Sequence, residues 1–172
     1  MKTYVNVFDY AGRICEAMKK GILLTTASGD SVNTMTIGWG TLGIEWGKPV
    51  FVAYVRDSRH TRKLLDETGE FTVNVPMSNI DPQIIRLCGT KSGRDTDKIR
   101  ELGLTPEAPE HISVPGIREL PLTLECRVLY RNEQDESRLP ESVQQRFYSA
   151  INSRDYHIAY YGEILGAYII EG

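Results

Sequence analysis

The sequence predicts a mainly β protein, a small antiparallel barrel with helices inserted between its strands. Two observations carry that reading. Short apolar runs of strand character recur along the chain, with a tight turn at Gly29-Asp30. Short helical patterns fall between them, a combination that favours a decorated barrel over a doubly wound parallel sheet.

The elements follow in order. Residues 10–20 form a helical pattern, with Ile14 and Met18 four apart and Gly21 as a stop. ILLTTAS is a strand, and Gly29-Asp30 turns the chain into strands near 34–39, 50–56 and 71–75, with a helix over 59–67. Asn79 to Pro82 starts another helix, with Ile84, Ile85 and Leu87 as apolar contacts and Gly89 as its end. DTDKIRELG is a short helix closed by Gly103, and the four-proline stretch 105–121 is an extended wrap. LTLECRVLY alternates as a long strand. PESVQQRFYSAIN then places Val143, Phe147 and Ile151 at steps of four on one helical face, and HIAYYGEILGAYII is the last strand.

With 172 residues, 41% hydrophobic, and a net charge of −3, the chain reads as one domain over 1–172 with a core that needs no staples. Lys and Arg are scattered among Asp and Glu, with no basic stripe and no interleaved aromatics, so nucleic acid is not an expected partner. Cys15, Cys88 and Cys126 lack paired spacing and read as reduced core thiols. The N-terminus lacks a continuous apolar segment and no run approaches bilayer length, so a cytoplasmic protein with no membrane partner is expected.

The most informative stretch runs from Asn33 to Thr61: NTMTIGWG, then PVFVAYV, then DSRHT entering RKLLDET. A strand carrying Trp39 is thereby followed by a strand-to-helix turn with Ser58, Arg59 and Thr61. Main-chain N–H groups at a helix start attract anions, and these side chains add hydroxyl and guanidinium donors. A pocket for a flat phosphorylated ligand is one reading. The other is a capped surface helix, with Ser58 as the cap and Arg59 and Thr61 on its first turn. Asn33, Trp39 and the second basic loop, CGTKSGRDTDK, favour the pocket.

Two motifs mislead. Gly38 to Gly43 satisfies G-x-G-x-x-G, but the following IEWGKP places a glycine and a proline where a helix should open, so the stretch reads as a strand end and loop. Gly89-Thr90-Lys91-Ser92 resembles the tail of a P-loop but has no upstream glycine and follows a helix. His60, His111 and His157 are dispersed, and no serine sits in a nucleophile elbow.

Taken in order, NTMTIGWG, the SRHT turn, EFTVNVP, CGTKSGRDTDK, LECRV and YHIAYYGEI resemble the flavin reductase-like family of FMN-binding split barrels, flavoredoxins included. The resemblance covers most of the chain. It implies an FMN-binding split β-barrel that forms a homodimer, with FMN shared across the interface and the helix at 141–151 and the last strand as candidate contributors. Asn33, Thr36 and Trp39 match the strand lining the isoalloxazine ring. Ser58, Arg59 and Thr61 match the phosphate turn, and Ser92 and Lys98 match a polar loop at the phosphate or ribityl end. His157 matches a histidine near the flavin, where a pKa near neutrality would let it donate a hydrogen bond or charge during catalysis.

Each assignment has a structural alternative: Trp39 as barrel core, Asn33 and Asn74 as strand-end hydrogen-bonders, Lys98 as a solvated helix residue, and His157 as a satisfied loop histidine. Longer family members carry an extension past the last strand that can reach the flavin, where this sequence reads Ile169-Ile170-Glu171-Gly172, and its role in gating or substrate choice is left open. The resemblance implies an NAD(P)H-dependent flavin reductase, with the nicotinamide dinucleotide as transient co-substrate passing a hydride to FMN. The alternative is a flavoredoxin-type carrier that holds FMN tightly and exchanges electrons with a redox protein partner. FMN is expected to bind more tightly than FAD, because the helix-start pocket suits a terminal phosphate and no adenosine-binding motif is present.

Overall fold

The computed structural model describes residues 1–149 and 155–171. The chain opens with β1 (Lys2–Tyr4), a 3₁₀ turn at Val7–Tyr10 and α1 (Ala11–Met18), then β2 (Ile22–Ser28), β3 (Ser31–Ile37), β4 (Gly40–Glu45) and β5 (Lys48–Arg56). Next come α2 (His60–Thr68), β6 (Glu70–Val75), α3 (Pro82–Thr90), α4 (Lys98–Leu102) and a small ribbon of β7 (Pro106–Glu107) with β8 (Gly116–Ile117). β9 (Leu122–Glu133), α5 (Glu141–Phe147) and β10 (His157–Ile170) complete it.

The main sheet runs β3-β2-β6-β9-β10-β5-β4, antiparallel throughout, with β1 on the far half of β10. β3 and β4 are its two ends, yet only Gly38 and Trp39 separate them in sequence. Three Cα steps reach at most about 11 Å, so the sheet must curl until its ends nearly meet. Among the described residues no ladder joins those ends. The barrel is split there, as the sequence leads one to expect of this fold class.

Alternation fills the interior. Ile22 and Leu24, Met35 and Ile37, Phe51, Ala53 and Val55, Phe71 and Val73, and Leu124 and Cys126 form one buried cluster, which Ile14 and Met18 of α1 and Leu65 of α2 join. On the outer face, α3, α4 and the 104–120 segment pack over Leu23 in a second cluster. A buried polar ladder continues that face: Asn74 receives Thr25 and Thr72 at 3.1 and 3.2 Å and donates to Thr123 at 3.1 Å. Asn74 is therefore fully paired inside the sheet, as its structural alternative requires.

Most predicted elements stand where expected. Asp81 caps α3 through the Gln83 N–H at 2.9 Å with Pro82 at its first turn, and Gly103 ends α4 at φ 62°. Three readings need correction. Gly40–Glu45 is a strand, paired with β5 through a turn at Trp46-Gly47 whose φ values of 52° and 70° are both left-handed. α3 continues through Gly89 to Thr90, one residue past the predicted stop. Cys15 is exposed on α1 and is no core thiol, whereas Cys88 and Cys126 are buried. α5 forms over Glu141–Phe147, within the predicted helix, and Ile151 lies outside the described residues.

Candidate functional site

β5, the turn after it and α2 deliver one wall of a cleft at the barrel split. A cavity of about 350 Å³ is lined by Arg56, Ser58, Arg59, His60, Thr61, Lys91, Ser92, Gly93, Arg94, Lys98 and Asp155, among others. Arg56 and Arg59 continue into a neighbouring cavity of about 170 Å³ lined by Met35, Thr36, Ile37, Gly38, Trp39, Tyr54 and His157. Gly93, Arg94 and Lys98 continue into a third, lined also by Asn33 and Thr34. All nine residues singled out in the sequence therefore line one branched cleft.

Its electrostatics are lopsided. Five cations, Arg56, Arg59, Lys91, Arg94 and Lys98, line the first cavity against one carboxylate, Asp155. Several cations elsewhere do pair: Lys48 with Glu163 at 2.6 Å, Arg118 with Glu107 at 2.6 Å, Arg131 with Asp66 at 2.5 Å. Among the described residues none of the five cleft cations has a carboxylate within ion-pair distance. Arg56 donates to the main-chain oxygens of Asp155 and Phe147, Arg59 to that of Gly89 at 3.0 Å, and Lys98 to that of Lys91 at 3.2 Å. Lys98 is only 4% exposed, which removes the solvated-helix alternative. Burial lowers its pKa, and the Arg59 charge adds to that lowering against the opposing influence of Cys88. A buried ammonium bonded only to a carbonyl, beside a guanidinium, is a place where an anion is stabilised.

Polar contacts shape the cationic end. Asn33 donates from Nδ2 to Thr61 Oγ1 at 2.8 Å, and both side chains are buried. A Cβ on Gly93 would lie 1.9 Å from Asn33 Oδ1, so the SGR loop approaches Asn33 only because residue 93 has no side chain. Ser92 Oγ is taken by the Arg94 N–H at 3.2 Å. The helix cap falls on Arg59, without a side-chain bond, so the reading of Ser58 as cap does not hold. Ser58 instead gives its N–H and hydroxyl to Asp155 at 2.9 and 2.6 Å.

The other branch is aromatic. Trp39 is 41% exposed and thus lies outside the barrel core; its ring sits 4.7 Å from His157 and 5.2 Å, edge-on, from Phe147. Thr36 lines this branch while donating its hydroxyl to Ile85 O at 2.6 Å. His157 is buried, donates its main-chain N–H to Gln134 Oε1 and holds Tyr148 Oη 2.8 Å from Nδ1. Burial first, then the Arg56 charge, lowers its pKa to about 4, with Asp155 opposing. The expected pKa near neutrality is therefore overturned, and the ring is uncharged at neutral pH.

Sequence reasoning missed Arg56, Lys91, Gly93, Arg94, Tyr54 and Asp155 as cleft residues. Gly93 and Arg94 lie inside a loop already marked by its composition. Arg56 and Tyr54 follow from period 2, since Phe51, Ala53 and Val55 take the interior face of β5. Nothing in the sequence signals Asp155. A larger cleft, about 1010 Å³, lies between α1 and the β6–α3 connection and holds none of the predicted site residues. Among the described residues there is no metal-binding cluster, and no helix is long and apolar enough to cross a membrane.

Comparison with known proteins identifies the fold. An uncharacterised protein of Archaeoglobus fulgidus is 32% identical over 107 residues, which are 62% of this chain and 59% of that protein. The match thus spans about three fifths of the relative's length. The flavoredoxin of Desulfovibrio vulgaris (Miyazaki F) superposes with a TM-score of 0.67 at 24% identity, covering 88% of this chain and 69% of its own. The NADH:FAD oxidoreductase SgcE6 of Streptomyces globisporus C-1027 gives 0.65 at 17% identity, covering 87% and 75%. These two share the fold with a chain whose residues 16–172 match the flavin reductase like domain, and the protein belongs to that family.

Proposed function

We propose that the protein is an FMN-binding oxidoreductase that accepts reducing equivalents from NAD(P)H. The observation that carries the proposal is the set of five unpaired cations, one of them buried, opening directly into an aromatic branch. That polarity matches a ligand with a phosphate at one end and a flat ring at the other. The flavin, when bound, supplies the redox chemistry.

The residues divide the remaining work. Arg59 and Lys98 neutralise the phosphate, with Arg94 and Lys91 adding positive potential at the rim. Thr61 fixes the Asn33 amide, and Gly93 lets the loop close on it. Trp39 and Tyr54 give the ring branch apolar walls. Arg56 and Arg59 reach both branches, so the charge that holds the tail also favours negative charge gained by the ring on reduction. His157 acts as a neutral hydrogen-bonding wall, since a cation there is disfavoured by its surroundings.

FMN is favoured over FAD because the cationic branch suits a terminal phosphate. The test of the activity is anaerobic titration of the FMN-loaded protein with NADH and with NADPH. Bleaching of the flavin absorbance by either nucleotide alone is expected. Bleaching only by a reduced protein donor would assign the chain to the flavoredoxin-type carriers instead.

A further inference from the structure

The one carboxylate in the cationic cavity occupies donors that a phosphate would use. Asp155 accepts the Ser58 N–H through Oδ1 at 2.9 Å and the Ser58 hydroxyl through Oδ2 at 2.6 Å. Its main-chain oxygen accepts from Arg56 at 2.9 Å, which holds the residue against the turn. The carboxylate therefore sits on the strand-to-helix turn as a bound anion would, at the edge of a cavity whose other charged lining residues are all cations. Its charge reaches further into the site, since it raises the pKa of His157 against the effect of Arg56 and Arg59.

We propose that Asp155 is an internal competitor for the ligand phosphate, a residue that sets the affinity and anion selectivity of the cleft. The inference rests on the phosphate reading above. Two consequences follow from ordinary electrostatics. An entering phosphate meets the repulsion of a fixed carboxylate, and it gains the Ser58 donors only if Asp155 gives them up. Both effects weaken anion binding relative to a cleft without Asp155, and neither touches a ligand without a phosphate. Asp155 thus keeps a strongly cationic site from holding its ligand, or stray anions, more tightly than turnover or exchange permits.

The experiment compares FMN with riboflavin, which lacks only the phosphate, by fluorescence quenching in the wild type, Asp155→Ala and Asp155→Asn. Asp155→Asn keeps an acceptor for the Ser58 N–H and removes the charge, which guards against collapse of the turn. Circular dichroism melting checks that both variants fold. The expected result is FMN affinity raised by about tenfold in Asp155→Ala and severalfold in Asp155→Asn, with riboflavin affinity changed less than twofold. Inorganic phosphate should also displace FMN from Asp155→Ala at lower concentration than its own wild-type affinity would suggest. A folded Asp155→Asn with unchanged or weaker FMN binding, in a wild type that prefers FMN to riboflavin, overturns the inference alone. A wild type that binds FMN and riboflavin equally overturns the phosphate reading beneath it.

Discussion

His157 shows how much a single environment decides. An ordinary histidine titrates near pH 6.5, but this one is buried against Tyr148 and two guanidinium groups repel its charged form. With a native pKa of about 4 against 6.5 unfolded, the unfolded chain binds more protons between those values. Stability is therefore fully present above pH 6.5 and falls as pH drops towards 4, by at most about 3 kcal/mol from this residue. Denaturant titrations at pH 7 and pH 4.5 should show that loss, and His157→Gln should reduce it. For turnover, His157→Ala is expected to slow flavin reduction by about tenfold at every pH from 6 to 8. A wild-type inflection near pH 6.5 that vanishes in the variant would restore the charged role. Thr61→Ala belongs to the same scale: it leaves the buried Asn33 amide without its partner and should weaken FMN binding by roughly tenfold, read by fluorescence quenching. Residue types at this cleft were legible because hydroxyl, guanidinium and indole groups carry their chemistry in their names. Burial was not: Lys98 reads in sequence as a helix-face lysine, and only tertiary packing beside Cys88 and Arg59 makes it an unpaired buried cation.

At the scale of elements, periodicity and caps located every long strand and most helices, since Asp81-Pro82, Asp97 and Gly103 carry local signals that packing did not override. β4 escaped because glycines at 40 and 43 and a tryptophan at the left-handed turn position hide both its alternation and its hairpin. The glycines are informative in the structure for a different reason. Gly162 on β10 faces the interior, where a Cβ would lie 2.5 Å from the Phe71 ring. Gly162→Ala must displace that ring or bend the strand, and a loss of about 1–3 kcal/mol in denaturant unfolding is expected. An unchanged midpoint would mean that the strand irregularity between Tyr161 and Gly162 absorbs the methyl group.

The whole molecule leaves an aromatic surface outside the barrel. Trp46 and Tyr130 are 55% and 48% exposed and gather around Tyr161, beside the outward Val50, Val52 and Tyr54 of β5. We propose a homodimer that uses this face, which keeps the last strand, through Tyr161, of the two contributors expected from the sequence. Sedimentation at micromolar concentration should give a dimer, and Tyr130→Glu combined with Trp46→Lys should give a folded monomer; a wild-type monomer that still binds FMN contradicts the expectation. At this scale the cations at the barrel split, unpaired among the described residues, are the proposed seat of a phosphate. The most direct measurement is the affinity of the wild-type protein for FMN against riboflavin, side by side with Arg59→Ala. FMN should bind the wild type at least about tenfold more tightly than riboflavin, and Arg59→Ala should erase most of that gap by weakening FMN far more than riboflavin. Equal wild-type affinities, or a gap that survives the loss of Arg59, would contradict it.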